Sequence, residues 1–84
     1  MACINLLKIN IPAGVTEIQA QAFANCFSLK EIHFRGTTPP TISAASVFTS
    51  LPTQCTIYVP TGYLNTYKET TYMPDPTIYT YVEE

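Results

Sequence analysis

The feature that most limits the fold of this chain is an internal repeat. Residues 3–11 align with residues 26–34 at an offset of 23, and residues 32–34 align with residues 57–59 at an offset of 25. The sum of these offsets, 48, also aligns the motif Ile-x-Ile-Pro-x-Gly at position 9 with Ile-x-Val-Pro-x-Gly at position 57. Repeats at a period between 20 and 50 residues are typical of stacked architectures.

Each repeat contains a short run in which apolar and polar residues alternate, which predicts a strand over residues 7–11, 29–34 and 56–59. A unit of about 23 residues with one strand cannot bury its own apolar face, so equivalent strands are expected to stack in parallel. The predicted fold is an α/β solenoid, mostly β, of about three coils with short helical turns. One row of side chains then faces inward: Ile9, Ile11, Ile32, Phe34, Ile57 and Val59.

The other row faces outward and forms the candidate binding surface: Lys8, Asn10, Glu31, His33 and Tyr58, with Thr56 beside them. A second inward run, Val15-x-x-Ile18, follows the first strand, and residues 20–24 are predicted to form one helical turn. Pro12 and Pro60 end their strands because proline cannot donate to a ladder.

The repeat resembles the BspA-like leucine-rich repeat. The resemblance rests on the pattern I-P-x-G-V-T-x-I-x-x-x-A-F-x-N-C-x-x-L-x-x-I-x-F over residues 11–34, while residues 36–68 resemble the carboxy-terminal end of such arrays. Gln19 departs from the pattern, which has glycine there. The resemblance covers roughly residues 3–68 and implies leucine-rich repeats over residues 1–60. A capping helix and strand are expected over residues 61–84, in the same domain.

All six tyrosines lie in the last 27 residues, where the stack must end. Thr61 is a candidate N-cap for a helix over residues 62–69, and residues 78–82 alternate as a final strand. Two interpretations of this region stay open: a cap that closes the last coil, or an aromatic patch that binds a partner or a glycan. The residues concerned are Tyr63, Tyr67, Tyr79 and Tyr81.

The amino-terminal coil carries no corresponding cap, so Leu6, Ile9 and Ile11 are expected to expose an apolar edge. Three explanations compete: the chain is the end of a longer array, the edge pairs with another copy or another protein, or the carboxy-terminal tail folds over it. Self-association through Leu6, Ile9 and Ile11 follows from the second.

The sequence carries no pattern that indicates catalysis, and no cofactor is expected. No two carboxylates have the spacing of an acid/base pair, there is no phosphate-binding loop, and Glu83 and Glu84 are expected to be solvated charges. The single histidine and the absence of a C-x2-C pair speak against zinc. Cys3 and Cys26 fall at equivalent positions, where a disulfide or, preferably, two stacked free thiols would fit.

A net charge of −2 speaks against a nucleic-acid partner, and no apolar run has the length of a membrane span. The resemblance implies a non-catalytic adhesion module that binds a host or matrix protein, as part of an extracellular or cell-surface bacterial protein; a glycan is a second candidate partner. The alternative is a structural component of a phage particle, which the lack of a signal-peptide pattern after Met1 fits better.

Overall fold

The computed structural model describes residues 7–19, 28–48 and 51–84. Six strands, one short helix and one 3-10 turn are found there: β1 (Lys8–Ile11), β2 (Glu17–Ile18), β3 (Glu31–Phe34), β4 (Thr41–Ile42), the 3-10 turn (Ala45–Phe48), β5 (Thr56–Val59), α1 (Leu64–Lys68) and β6 (Thr80–Glu83). The described chain is therefore mostly strand and loop, with little helix.

Four strands form a parallel sheet in the order β1-β3-β5-β6. Ile9 is paired with Ile32, and Ile32 with Ile57, so the sequence offsets of 23 and 25 are the registers of the two ladders. The three strands predicted from the repeat are confirmed as parallel neighbours, because equivalent residues of successive repeats lie side by side.

A second, two-stranded parallel sheet joins β2 to β4, with Ile18 paired with Ile42. The first repeat thus contributes β1 to the four-stranded sheet and β2 to the two-stranded sheet, and the second repeat contributes β3 and β4 in the same way. Gly36 lies where the second repeat passes from one sheet to the other, and a Cβ there would meet the Ala13 Cα at 3.2 Å. Glycine is needed at this position because the turns of neighbouring repeats touch through their main chains.

The core lies between the two sheets and the carboxy-terminal segment. Its buried members come from all repeats: Ile18, Leu29, Ile32, Phe34, Ile42, Val47, Phe48, Leu51, Cys55, Ile57, Val59, Tyr67 and Met73. Ile9 and Ile11 pack against this core but are only half-buried, because β1 lies at the edge of the sheet. Burial of apolar surface at about 25 cal/mol per Å² supplies the main stabilisation of such a stack.

The carboxy-terminal segment differs from the prediction at its helix. Helix α1 begins at Leu64 after the N-cap Tyr63 and has no side-chain cap, so the assignment of Thr61 as N-cap is wrong. The Thr61 hydroxyl instead donates to the carbonyl of Glu84 at 2.9 Å. This contact forms because β6 pairs with β5, which brings Glu84, just after β6, next to Thr61, just after β5.

The final strand β6 pairs in parallel with β5, with Ile57 opposite Tyr81. It therefore lies at the edge of the sheet opposite to β1, so that, of the three explanations for the open amino-terminal edge, the one in which the tail folds over it is wrong. The predictions for Leu6, for the turn over residues 20–24 and for the Cys3–Cys26 pair lie outside the described residues.

Candidate functional site on the outer sheet face

The register of the sheet brings the predicted binding residues onto one face. Lys8 is opposite Glu31, and Asn10, His33 and Tyr58 form a row across β1, β3 and β5. We call the side of the sheet that carries this row the outer face. Lys8 and Asn10 are exposed there, and Glu31 and Tyr58 are half-buried.

His33 is not an exposed binding residue, so its prediction as part of an accessible surface is wrong in that respect. Only 6% of the residue is exposed. Its ring stacks on Tyr58 with centroids 4.3 Å apart and planes 2° apart. Alternation places His33 on the outer face as predicted, but the Tyr58 ring and two carboxylates cover it.

Each ring nitrogen of His33 contacts a carboxylate. Nδ1 lies 2.6 Å from Oε1 of Glu84, and Nε2 lies 2.7 Å from Oε1 of Glu31. An ionised carboxylate only accepts hydrogen bonds, whereas a neutral imidazole has one donor. Two ionised carboxylates are therefore satisfied together only by a ring that carries both protons.

Arg35 extends this set of contacts to the first strand. Its guanidinium donates to Oε1 of Glu84 and to Oδ1 of Asn10, each at 2.9 Å. We call Asn10, Glu31, His33, Arg35 and Glu84 the outer polar cluster. It links β1 and β3 to the residue that follows β6.

Sequence reasoning missed two members of this cluster. Arg35 continues the outward alternation of residues 31 and 33, a signal that was available in the sequence. Glu84 is reached only through the pairing of β6 with β5, which the repeat does not specify. Glu83 and Glu84 are exposed, as expected of solvated charges, but both also make contacts that were not predicted: Oε2 of Glu83 accepts from the Gly62 amide at 2.7 Å, and Oε1 of Glu84 lies 2.6 Å from Nδ1 of His33.

The electrostatics of the cluster favour the charged form of Glu84. The hydrogen bond from His33 lowers the pKa of Glu84, and the charges of His33, Arg35 and Lys8 lower it further, against a smaller opposing effect of burial. A recess of about 310 Å³ opens beside it, lined by Phe34, Arg35, Pro60 and Glu84. The face thus carries side chains of both charges beside a recess lined by two apolar and two charged residues.

Three of the four tyrosines named for the cap or patch are anchored to the main chain. The Tyr67 hydroxyl donates to the carbonyl of Gly36, that of Tyr79 to Leu51 at 2.6 Å, and that of Tyr81 to Pro74 at 2.6 Å. Tyr67 is buried, while Tyr79 and Tyr81 are half-buried.

Burial raises the pKa of each of these three phenols. Tyr63 stands apart from the other three, with 37% of its surface exposed.

The edge of β1 carries the remaining predicted residues. Ile9 and Ile11 are half-buried, and Leu7 beside them is 54% exposed. The amides of Glu31 and Arg35 donate to the carbonyls of Leu7 and Ile11, so these residues turn their main-chain groups toward β3.

Successive residues of a strand direct their main-chain N–H and C=O groups to opposite sides, so those of Lys8 and Asn10 point to the free edge of β1. Within the described residues no strand pairs with that edge.

The described residues offer no assembled catalytic group. Burial, followed by the charge of Glu31, raises the pKa of the buried Cys55 thiol to about 11, which disfavours a thiolate nucleophile. Both ring nitrogens of His33 are engaged. Among residues 7–19, 28–48 and 51–84, no group of three or more His, Cys, Asp or Glu side chains is arranged to hold a metal.

Comparison with known proteins agrees with the repeat geometry. The family model of the BspA type leucine rich repeat region (6 copies) matches residues 1–73. The chain belongs to this family. Searches of curated proteins and of solved structures give no match.

Leucine-rich repeats of this type mediate protein interactions and occur in surface or secreted bacterial proteins. None of the helices in the described part of the chain is long and apolar enough to cross a membrane.

Proposed function

We propose that this chain is a non-catalytic protein-interaction module whose repeats stack as a solenoid and associate with a second copy through the edge of β1. The observation that carries the proposal is the difference between the two edges of the four-stranded sheet. On the core-facing row, β1 carries Ile9 and Ile11, whereas β6 carries Tyr81 and Glu83.

An inward-pointing charge on an edge strand is a common device against unwanted pairing. Glu83 has this effect on β6, and the described part of β1 has no equivalent. A head-to-tail contact of β1 on β6 would place the Glu83 carboxylate beside Ile11 and desolvate it at a cost. We therefore favour contact between two copies of β1.

The sequence of β1 suits an antiparallel pair related by a two-fold axis at Asn10. In that register Ile9 of one copy lies opposite Ile11 of the other, and the two Asn10 residues exchange main-chain hydrogen bonds. Both isoleucine pairs then continue the core-facing row across the two molecules. The contact joins two four-stranded sheets into one.

Sedimentation velocity of three proteins tests this arrangement. We expect wild type to sediment as a dimer of the 9.3 kDa chain at high micromolar concentration. Asn10→Pro removes the edge N–H but leaves the bonds of Leu7 and Ile11 to β3, so it should sediment as a monomer.

Asn10→Ala is the matched control because it removes the side chain and keeps the N–H. It should still dimerise. A strictly monomeric wild type, or an Asn10→Pro variant that dimerises as well as Asn10→Ala, would contradict the proposal.

The outer face is the proposed contact for other proteins, such as a host or matrix protein, in an adhesion role at the bacterial surface. The exposed charges of Lys8 and Arg35 and the half-buried Tyr58 support this assignment. Lys8→Glu should weaken binding to a panel of purified matrix proteins, while Lys68→Glu, on α1, should not. Equal effects of both substitutions would argue against the outer face.

The tyrosines of the carboxy-terminal segment are proposed to close the last coil. The hydroxyl contacts of Tyr67, Tyr79 and Tyr81 with the main chain support a cap more than a glycan-binding patch. A structural role in a phage particle stays a prediction from the sequence, and visualisation of the protein on cells or on purified virions distinguishes the two locations.

A further inference from the structure

The two-stranded sheet ends at β4, although the repeat continues. Strand β2 begins six residues after the end of β1, and β4 begins seven residues after the end of β3. The same spacing after β5 leads to Asn65 and Thr66, but these residues lie in α1. Within the described residues no strand pairs with the far side of β4. The third repeat therefore does not extend the ladder that joins Ile18 to Ile42.

The main chain of Ile42 is directed to this open edge. Thr41 and Ser43, on either side of it, donate their amides toward β2 at 2.9 and 3.0 Å. Successive residues of a strand point their main-chain groups to opposite sides, so the N–H and C=O of Ile42 point away from β2. Only 4% of Ile42 is exposed, and no other described residue bonds these two groups. Since buried main-chain groups are nearly always paired, this pair indicates a partner strand.

A recess of about 220 Å³ lies at the same edge. One wall is the segment from Pro39 to Ile42, and the other is formed by Thr70 and Thr71, after α1. Its described lining includes no residue of β2, so it lies on the side of β4 where a third strand would run. Tyr72, next to the second wall, has a left-handed φ of 68°, which is unfavourable for a large side chain and is found most often at ligand sites.

The chemistry of the recess favours an uncharged, extended peptide. Its volume is that of about seven water molecules, enough for a few small residues. A charged side chain would lose hydration there without meeting an opposite charge, because every lining residue is uncharged. An extended main chain presents an N–H and a C=O to each neighbouring strand, which is what Ile42 lacks. The lining consists of Pro39, Pro40, Thr41, Ile42, Thr70 and Thr71.

We propose that the open edge of β4 is a peptide-binding site, which takes an uncharged extended segment of another protein as the third strand of the two-stranded sheet. The bound segment accepts a hydrogen bond from the Ile42 N–H and donates one to the Ile42 carbonyl. Small residues such as alanine and threonine fit between the two walls. This site goes beyond the contacts proposed for β1 and for the outer face, because it lies on the other sheet.

NMR titration of the isotope-labelled full chain tests the site, with an acetylated and amidated peptide of alternating alanine and threonine as the probe. We expect the Ile42 amide proton to move downfield and its exchange with solvent to slow as the peptide binds. The same peptide with every main-chain nitrogen methylated cannot donate a hydrogen bond. It should bind about tenfold more weakly, because the Ile42 carbonyl then stays unpaired.

Three variants make the result specific. Thr71→Trp places a large ring in the recess and should abolish the response of Ile42. Thr66→Trp is the matched control, because Thr66 is exposed on α1 and does not line the recess; it should bind as wild type. Asn10→Pro removes the proposed contact of β1 and should also bind as wild type, so that the two interfaces are tested separately.

An Ile42 amide that does not respond to the peptide would overturn the proposal, whatever the oligomeric state of the protein. Equal binding by Thr71→Trp and Thr66→Trp would place the peptide elsewhere and overturn it. Equal affinity for the methylated peptide would exclude main-chain pairing, and loss of binding in Asn10→Pro would place the peptide on β1; either result contradicts the proposal.

Discussion

The Tyr67 hydroxyl gives the sharpest test of how the carboxy-terminal segment is attached to the repeats. Tyr67 is 1% exposed, its ring packs on Phe34 with centroids 5.0 Å apart, and its hydroxyl donates to the buried Gly36. Tyr67→Phe keeps the ring and removes the donor, so the Gly36 carbonyl is left buried without this partner.

An unsatisfied buried carbonyl of this kind costs about 1.5 kcal/mol in the free energy of unfolding. An 84-residue domain is expected to have a total of about 4 to 13 kcal/mol, so the loss is a substantial fraction of it. For a domain of this size it corresponds to a decrease in Tm of about 6 to 12 °C.

Urea denaturation followed by far-UV circular dichroism measures the effect, with the slope against denaturant checked for constancy. Tyr63→Phe is the control, because Tyr63 is exposed and its substitution should change stability by less than about 0.5 kcal/mol. A Tyr67→Phe variant no less stable than Tyr63→Phe would refute the assignment of Tyr67 as the anchor between α1 and the second repeat.

Two further predictions concern packing and alkaline pH. Gly36→Ala should destabilise by about 1 to 3 kcal/mol in the same urea assay, because the new Cβ meets the main chain of Ala13 at 3.2 and 3.3 Å; Gly14→Ala, with open space around its Cβ, should cost less. Burial raises the pKa of Tyr67 and of Tyr81, so the stability they contribute is complete below the ordinary tyrosine pKa of about 10 and is lost as the pH rises from there through their raised pKa values. Absorbance at about 295 nm should therefore show these tyrosines ionising together with unfolding, and independent ionisation in the folded protein would contradict the burial argument.

The repeat allowed the sheet to be predicted with its register, since parallel strands of equivalent sequence pair residue for residue. Ile9 pairs with Ile32, and Ile32 with Ile57, as the sequence offsets of 23 and 25 predict. Strand β4 was not predicted because Pro39 and Pro40 stand before it, at the positions that Val15 and Thr16 occupy before its partner β2. A longer loop and its prolines thus remove the sequence pattern by which a strand is predicted, even where the repeat continues.

The outer polar cluster could be predicted only in part. Alternation gave the side of the sheet on which His33 lies, but its burial depends on the Tyr58 ring and on Glu84, which is 51 residues away. The helix cap was misassigned for a related reason. Thr61 has the chemistry of an N-cap, yet its hydroxyl bonds Glu84, because a local preference worth about 1 kcal/mol yields to a tertiary contact.

Concentration-dependent amide exchange tests, residue by residue, whether the open edge of β1 binds a second copy. The N–H groups of Lys8 and Asn10 point to the outer edge of β1, and those of Tyr81 and Glu83 point to the outer edge of β6. We expect protection at Lys8 and Asn10 to rise with protein concentration, and protection at Tyr81 and Glu83 to stay constant. Protection that rises at the β6 amides instead, or at neither edge, would contradict it.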